Sequence, residues 1–347
     1  MDAPAVDSDA PAWRPTREAA FERLEAFVPS AGREYAARRN TDTGPGADPQ
    51  SGPNGRDNVS CLSPWLRHRL ILEEEVVART LQSHSLNGAE KFIAEVFWRT
   101  YFKGWLEHRP EVWSVYLSDL QAQAARLEKY NDVANDYAAA INGETGIAPF
   151  DAWARELVET NYLHNHARMW FASIWIFTLR LPWQLGADFF LRHLLDGDPA
   201  SNTLSWRWVG GLHTKGKTYL ARASNIAKFT DGRFGDAERL GWQLANDAPP
   251  LEEDFDFEKG TLTLPDPAPD APYLLLITEE DGYAEGLRLR GRPVHVASTH
   301  ASDARSPVFD VSDAVMAFSR GCVDDAAARA VEKFDCAHTS LDSENLG

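Results

Sequence analysis

From Leu62 to about Trp208 the apolar positions recur at helical spacing, and no stretch alternates as a half-buried strand does. "AEKFIAEVFWRTYFKGWL" (89–106), "NHARMWFASIWIFTLRL" (165–181) and "WQLGADFFLRHLL" (183–195) each place an apolar stripe on one helix face. Ahead of this region, Ala20, Phe21, Leu24 and Phe27 predict a helix from Thr16 to Val28, with Thr16 as its cap. Residues 40–58, "NTDTGPGADPQSGPNGRDN", read as a long loop suited to binding or to a mobile insertion. Beyond a Pro-rich, acidic stretch at 246–271 the pattern changes. "YLLLIT" and "RPVHVAST" read as strands, and 311–319 and 323–334 as helices. The expected organisation is therefore a disordered lead (1–12), a helical domain (13–245), a linker (246–271), a small α/β unit (272–335) and a tail (336–347).

Composition narrows the function classes. The 347 residues are 44% hydrophobic, enough for a full core, yet no apolar run reaches the roughly 18 residues of a membrane span. The acidic, Pro/Ala-rich N-terminus is unlike an export signal, so the cytoplasm is the expected compartment and no membrane partner is expected. Cys61, Cys322 and Cys336 are odd in number and lack metal-binding spacing, which argues against a disulfide framework, a zinc site or a cluster; no metal is expected. The net charge of −17 is unfavourable for nucleic acid, but 21 acids against 8 bases fall in 246–347. Within 195–235, Arg207, Lys215, Lys217, Arg222, Lys228 and Arg233 outnumber the acids, so a basic strip and an acidic tail coexist.

"GLHTKGKT" (211–218) matches the phosphate-loop pattern at every fixed position, and "YLLLITEED" could be read as a metal-holding strand. A phosphate loop needs a buried strand feeding into it. Here the preceding residues, "NTLSWRWVGG", have helical character, so ATP binding is set aside and Lys215 and Lys217 read as rim lysines, either solvated or facing DNA phosphates.

Ten of the twelve tryptophans lie between Trp65 and Trp208. Helix packing accounts for Trp153, Trp170 and Trp175. It does not account for "DGDPASNTLSWRW" (196–208), where two acids, an amide and a Trp-x-Trp sit among buried helices and need polar partners such as a flavin or nucleotide. This stretch resembles the most diagnostic segment of the photolyase/cryptochrome family. "SCLSPWL" (60–66), "EVFWRTYF" (95–102) and "HNHARM" (164–169) resemble further family segments in the same order.

The resemblance implies a mainly α protein: an all-helical FAD-binding domain with a small C-terminal α/β unit. It implies FAD with its phosphates held by Tyr35, Ser60, Leu62, Ser63 and Arg99, and Val59 stands where the family has Thr. Asn165, Arg168, Asp196 and Asp198 would surround the isoalloxazine, with Asn202 facing its N5. Trp206 and Trp183 match inner and middle members of an electron-transfer chain, and Tyr130 stands at the outermost position. Glu95, Trp98, Met169, Asn202 and Trp208 match residues that work on a flipped-out lesion. Six-four photolyases carry histidines where Asn165 and Met169 stand, so the resemblance implies repair of cyclobutane pyrimidine dimers in UV-damaged DNA under blue light. A photoreceptor of cryptochrome type is the alternative. The helical domain begins almost at once, so no antenna chromophore is expected, and the acidic C-terminal unit is a candidate surface for a protein partner.

Overall fold

The computed structural model describes residues 13–46, 52–53, 55–235, 237–241, 243–263, 272–289 and 291–341. The expected lead at 1–12, part of the 246–271 linker and the second half of the tail (342–347) lie outside the described residues. Among those described, no helix is long and apolar enough to cross a membrane.

Helices dominate. In chain order they are α1 (Arg17–Phe27), α2 (Arg33–Arg38), α3 (Ser63–Arg67), α4 (Glu73–Ser83), α5 (Leu86–Glu107), α6 (Glu111–Lys129), α7 (Asn131–Asn142) and α8 (Ala148–Thr160). There follow α9 (Asn165–Ser173), α10 (Trp183–His193), α11 (Pro199–Gly210), α12 (Ala223–Phe229), α13 (Ala237–Gly241) and α14 (Asp313–Phe334). Local chemistry sets their starts. Thr16 caps α1 by accepting from the Ala19 N–H, as its sequence position predicts, and Ser85 and Asp198 cap α5 and α11 in the same way.

Two cores hold the molecule. One is aromatic and packs α6–α11 around Trp153, Trp170, Trp175, Phe171 and Trp206. The other joins α1, the 61–76 segment and the inner face of α5 to the C-terminal residues Ile277, Val296, Phe318 and Ala326. The α/β unit therefore shares its apolar interior with the N-terminal part of the helical region.

Its sheet is parallel in the order β1 (Leu274–Ile277), β2 (His295–Ser298), β3 (Ala337–Ser340), with Leu274 opposite His295 and His295 opposite Ala337. Strand β3 falls in the segment read from sequence as the tail; all four of its residues are exposed, so it carries no apolar alternation. The two helices expected at 311–319 and 323–334 are one helix, α14. Gly321 does not break it: an added Cβ there would meet Pro15 Cβ at 3.0 Å, so glycine serves the close approach of the N-terminal segment.

The long 40–58 loop is anchored at its described ends. Asp42 and Arg56 are both buried and paired, Arg56 reaches Glu156, and Trp153 Nε1 donates to Asp42 at 2.9 Å. Gly211 ends α11 in the left-handed conformation (φ 84°) and 211–216 form turns. A helix, not a strand, thus precedes "GLHTKGKT", and the phosphate-loop geometry is absent.

Candidate functional site

A cavity of about 620 Å³ opens between α3, α5, α9 and α11, within the usual range for a cofactor site. Tyr35, Ser60, Leu62, Ser63 and Arg99 line one part of it. Asn165, Arg168, Asp196, Asp198 and Asn202 line another, and Glu95, Trp98, Met169 and Trp208 complete the wall together with Trp206. Of the residues singled out in the sequence, Trp183 and Tyr130 are not part of this lining.

The segment before α3 is shaped by a residue that no motif indicated. Arg23, nearly buried, donates to the carbonyls of Ser60 at 2.7 Å, Val59 at 2.8 Å and Arg56 at 2.9 Å. Gathering three carbonyls behind the turn fixes the backbone ahead of Ser63. Cys61 takes a positive φ of 54° there, an uncommon conformation for a residue with a side chain. Tyr35 sits against Phe27 and Phe92, and burial raises its phenol above the usual range.

Arg168 and Asp196 form a two-bond fork at 3.0 and 2.9 Å, and Arg168 Nε donates to Leu163 O at 2.8 Å. This geometry fixes both groups in place. Asn202 Nδ2 donates to Ala187 O at 2.7 Å. Because its partner is a carbonyl, the amide nitrogen is committed to the backbone, and the oxygen is the end left to accept from a ligand.

Asp198 caps α11 through Ser201 N at 2.8 Å and meets three cations: Lys103 Nζ at 3.3 Å, Arg99 Nη2 at 3.8 Å and Arg67 Nε at 3.9 Å. Burial alone would raise its carboxyl, but Arg67, Lys103 and Arg99 outweigh that and hold it well below the ordinary carboxylate range. Arg67 and Lys103 also pair with Glu280, from the turn after β1. These partners lie 95 to 213 residues apart in the chain, so no local spacing signals them.

The lining combines largely apolar surface with a few unpartnered polar groups. The fully buried Trp65, Trp153, Trp170 and Trp175 all donate their ring N–H to protein acceptors at 2.8–3.0 Å. Among the described residues Trp206 Nε1 is buried with no partner, as are Arg67 Nη1, Arg99 Nε and Ser201 Oγ, all on lining residues. Buried groups of this kind ordinarily have partners, and a cofactor bearing phosphates and a heteroaromatic ring matches this donor set.

Residues 92–234 match the family pattern described as the FAD binding domain of DNA photolyase. The helical region is thus similar to the FAD-binding region of photolyases. It is 34% identical over 198 residues to the deoxyribodipyrimidine photo-lyase of Streptomyces griseus, covering 56% of this chain and 42% of that protein. Against the enzyme of the same name from Thermus thermophilus it is 32% identical over 217 residues, 62% of this chain and 48% of the relative. A crystal structure of a bacterial class III photolyase from Agrobacterium tumefaciens superimposes with a TM-score of 0.51 at 26% identity, covering 66% of this chain and 45% of that one. The chain thus spans less than half the length of the curated relatives it matches.

Around the mouth of the 620 Å³ cavity, aromatic rings are exposed where isolated packing would hide them. Trp98 and Tyr101 are about half exposed (50% and 49%) and meet Phe102 and His213 edge-on or tilted. A second cavity of about 660 Å³ shares Tyr35, Glu95, Asn165 and Met169 and adds Arg39, Arg222 and Asn225. Glu95 is paired with Arg39 at this border.

The basic strip is partly occupied from within the chain. Glu253 forks onto Arg207 at 2.5 and 2.7 Å, Phe257 lies under the same guanidinium, and Asp256 pairs with Lys215.

Trp183 is buried beside Tyr116, ring centroids 5.5 Å apart, and Tyr116 in turn meets Trp113 at 5.1 Å. Tyr130 stands apart at the α6–α7 junction, 44% exposed, with Lys129 over its ring. The aromatic contacts of Trp183 therefore lead along α6 to Tyr116 and Trp113, residues that no motif singled out.

Proposed function

We propose that this chain binds FAD and repairs cyclobutane pyrimidine dimers in DNA under blue light. The observation that carries the reading is the convergence on one cavity of an aromatic and carboxylate wall (Glu95, Trp98, Met169, Trp208) with a polar set (Asn165, Arg168, Asp196, Asn202). When bound there, FAD would supply light-driven electron donation to the lesion.

The chain's own residues do the rest. Ser60, Leu62 and Ser63 with Arg99 would hold the phosphates, and Arg67 adds a second guanidinium. The Arg168–Asp196 fork and the Asn202 amide oxygen would orient the ring and favour its reduced form. Trp98 and Trp208 offer apolar walls to extruded bases, while Glu95, held by Arg39, would accept from a pyrimidine edge. Trp206 and Trp183 would pass electrons inward, with Tyr116 and Trp113 extending the route.

The test is binding by the flavin-loaded protein to an oligomer carrying one thymine dimer, against the same oligomer undamaged. A clear preference for the dimer supports the reading, and equal affinity counts against it. A cryptochrome-type photoreceptor is the second reading. It is favoured by the acidic 252–258 segment lying on Arg207 and Lys215, which lowers the positive potential offered to DNA. Light-dependent change in a partner complex without lesion preference would select it.

A further inference from the structure

Resting on the flavin reading of the cavity, we infer that the C-terminal α/β unit is a working part of the site: Arg305 and Glu280 position the Asp196–Gly197–Asp198 turn from behind. Neither residue lines the cavity, so both act through groups that do.

Two arginines grip the turn. Arg67 Nε donates to Gly197 O at 2.9 Å, and Arg305 Nη1 donates to Leu194 O at 3.3 Å, the carbonyl that also accepts from Gly197 N at 3.0 Å. Gly197 has no room for a side chain: an added Cβ would lie 2.9 Å from Leu191 O, 3.0 Å from Leu194 O and 3.2 Å from Arg305 Nη1. The absence of a Cβ at Gly197 is what lets the Arg305 guanidinium pass close to the turn and reach Leu194 O. Each arginine is in turn set by the C-terminal unit. Glu280 holds Arg67, and Ser319 on α14 accepts from Arg305 Nη2 at 3.0 Å.

Arg305 is expensive for the fold. It is 9% exposed, no carboxylate lies within 4 Å of it among the described residues, and its Nε is buried without a partner. Burial and the nearby Arg67 charge pull it down to about 10. Burying a single cation carries a desolvation penalty that an apolar side chain of similar length would not. A buried cation with no directly paired carboxylate, aimed at the backbone of a ligand-lining turn and favoured only at longer range by Glu279 and Glu280, is therefore better explained by the site than by stability.

The experiment measures FAD affinity by fluorescence titration and the flavin midpoint potential in the full chain, with Arg305→Met, Arg305→Lys and Glu280→Gln. Melting of the FAD-free proteins and amide exchange at 194–198 accompany them. The expected result is that Arg305→Met weakens FAD binding on the order of tenfold, as outer-layer partners do at metal sites. Its potential should shift negative, because a positive charge near the ring is lost, and exchange at 194–198 should accelerate, while the FAD-free protein melts no lower than wild type. Arg305→Lys should recover most of the potential. Glu280→Gln alters a half-exposed side chain and so decides the matter if Arg305→Met fails to fold; it should weaken FAD binding several-fold through Arg67. Unchanged affinity and potential in these variants, with wild type binding FAD, would overturn this inference alone. A wild type that takes up no FAD overturns the reading of the cavity and this inference with it.

Discussion

Replacing Asp198 by asparagine separates charge from capping. Asparagine keeps an oxygen for Ser201 N, so the α11 cap survives, while Lys103, Arg99 and Arg67 lose their shared carboxylate. Removing one member of a buried ion cluster costs about 3–5 kcal/mol. Lys103 is partly exposed and Glu280 remains nearby, which places Asp198→Asn at about 3 kcal/mol and, at about 2 °C per kcal/mol for a chain of this size, about 6 °C in melting temperature. The effect carries a pH signature. Asp198 is depressed in the folded protein, so its contribution is fully present above the unfolded value near ~3.9 and is lost as the pH falls from there toward the folded value. The gap between wild type and variant should accordingly narrow by about 0.7 kcal/mol between pH 7 and about pH 3.5. Chemical denaturation at both pH values, without added FAD, reads both quantities. Equal stability at pH 7, or a gap that does not close in acid, would refute the argument.

Three further outcomes are expected. Trp98→Ala should cost about 1–3 kcal/mol in affinity for dimer-containing DNA, yet leave melting within about 0.5 kcal/mol of wild type because half the ring is exposed; a large drop in stability would make it a packing residue. The double variant Glu253→Gln, Asp256→Asn frees Arg207 and Lys215, so it should bind undamaged DNA more tightly and with a steeper salt dependence, and unchanged titrations would show that the acidic segment does not mask the strip. Trp113→Phe should slow light-driven reduction of bound flavin while Tyr130→Phe leaves it unaltered, following the Trp183–Tyr116–Trp113 contacts; the reverse result would restore Tyr130 as the chain's end.

Much of the helical region was legible because its apolar stripes have one dominant period, and Thr16 caps α1 as its position predicts, whereas the capping of α11 by Asp198 was not read from the sequence. Part of the cavity lining was legible for a different reason: many of its residues fall in four short ordered motifs, while others such as Phe92, Tyr162 and Phe190 do not. What escaped notice depends on distance along the chain. Arg67, Lys103 and Glu280 acquire meaning only when folding unites them, and Arg305 is an ordinary arginine until Ser319 and Leu194 close around it. The break expected between 311–319 and 323–334 does not occur, and Gly321 within it admits Pro15 to the surface of α14. Strand β3 was missed because an exposed edge strand has no apolar face to announce it.

The most direct measurement is repair itself: an oligomer with a single cyclobutane thymine dimer, the full chain carrying reduced FAD, blue light, and a dark control. Recovery of intact thymines in the light and none in the dark is the predicted result. Bound, reducible FAD with no recovery of thymines would contradict repair of this lesion and leave the photoreceptor reading in its place.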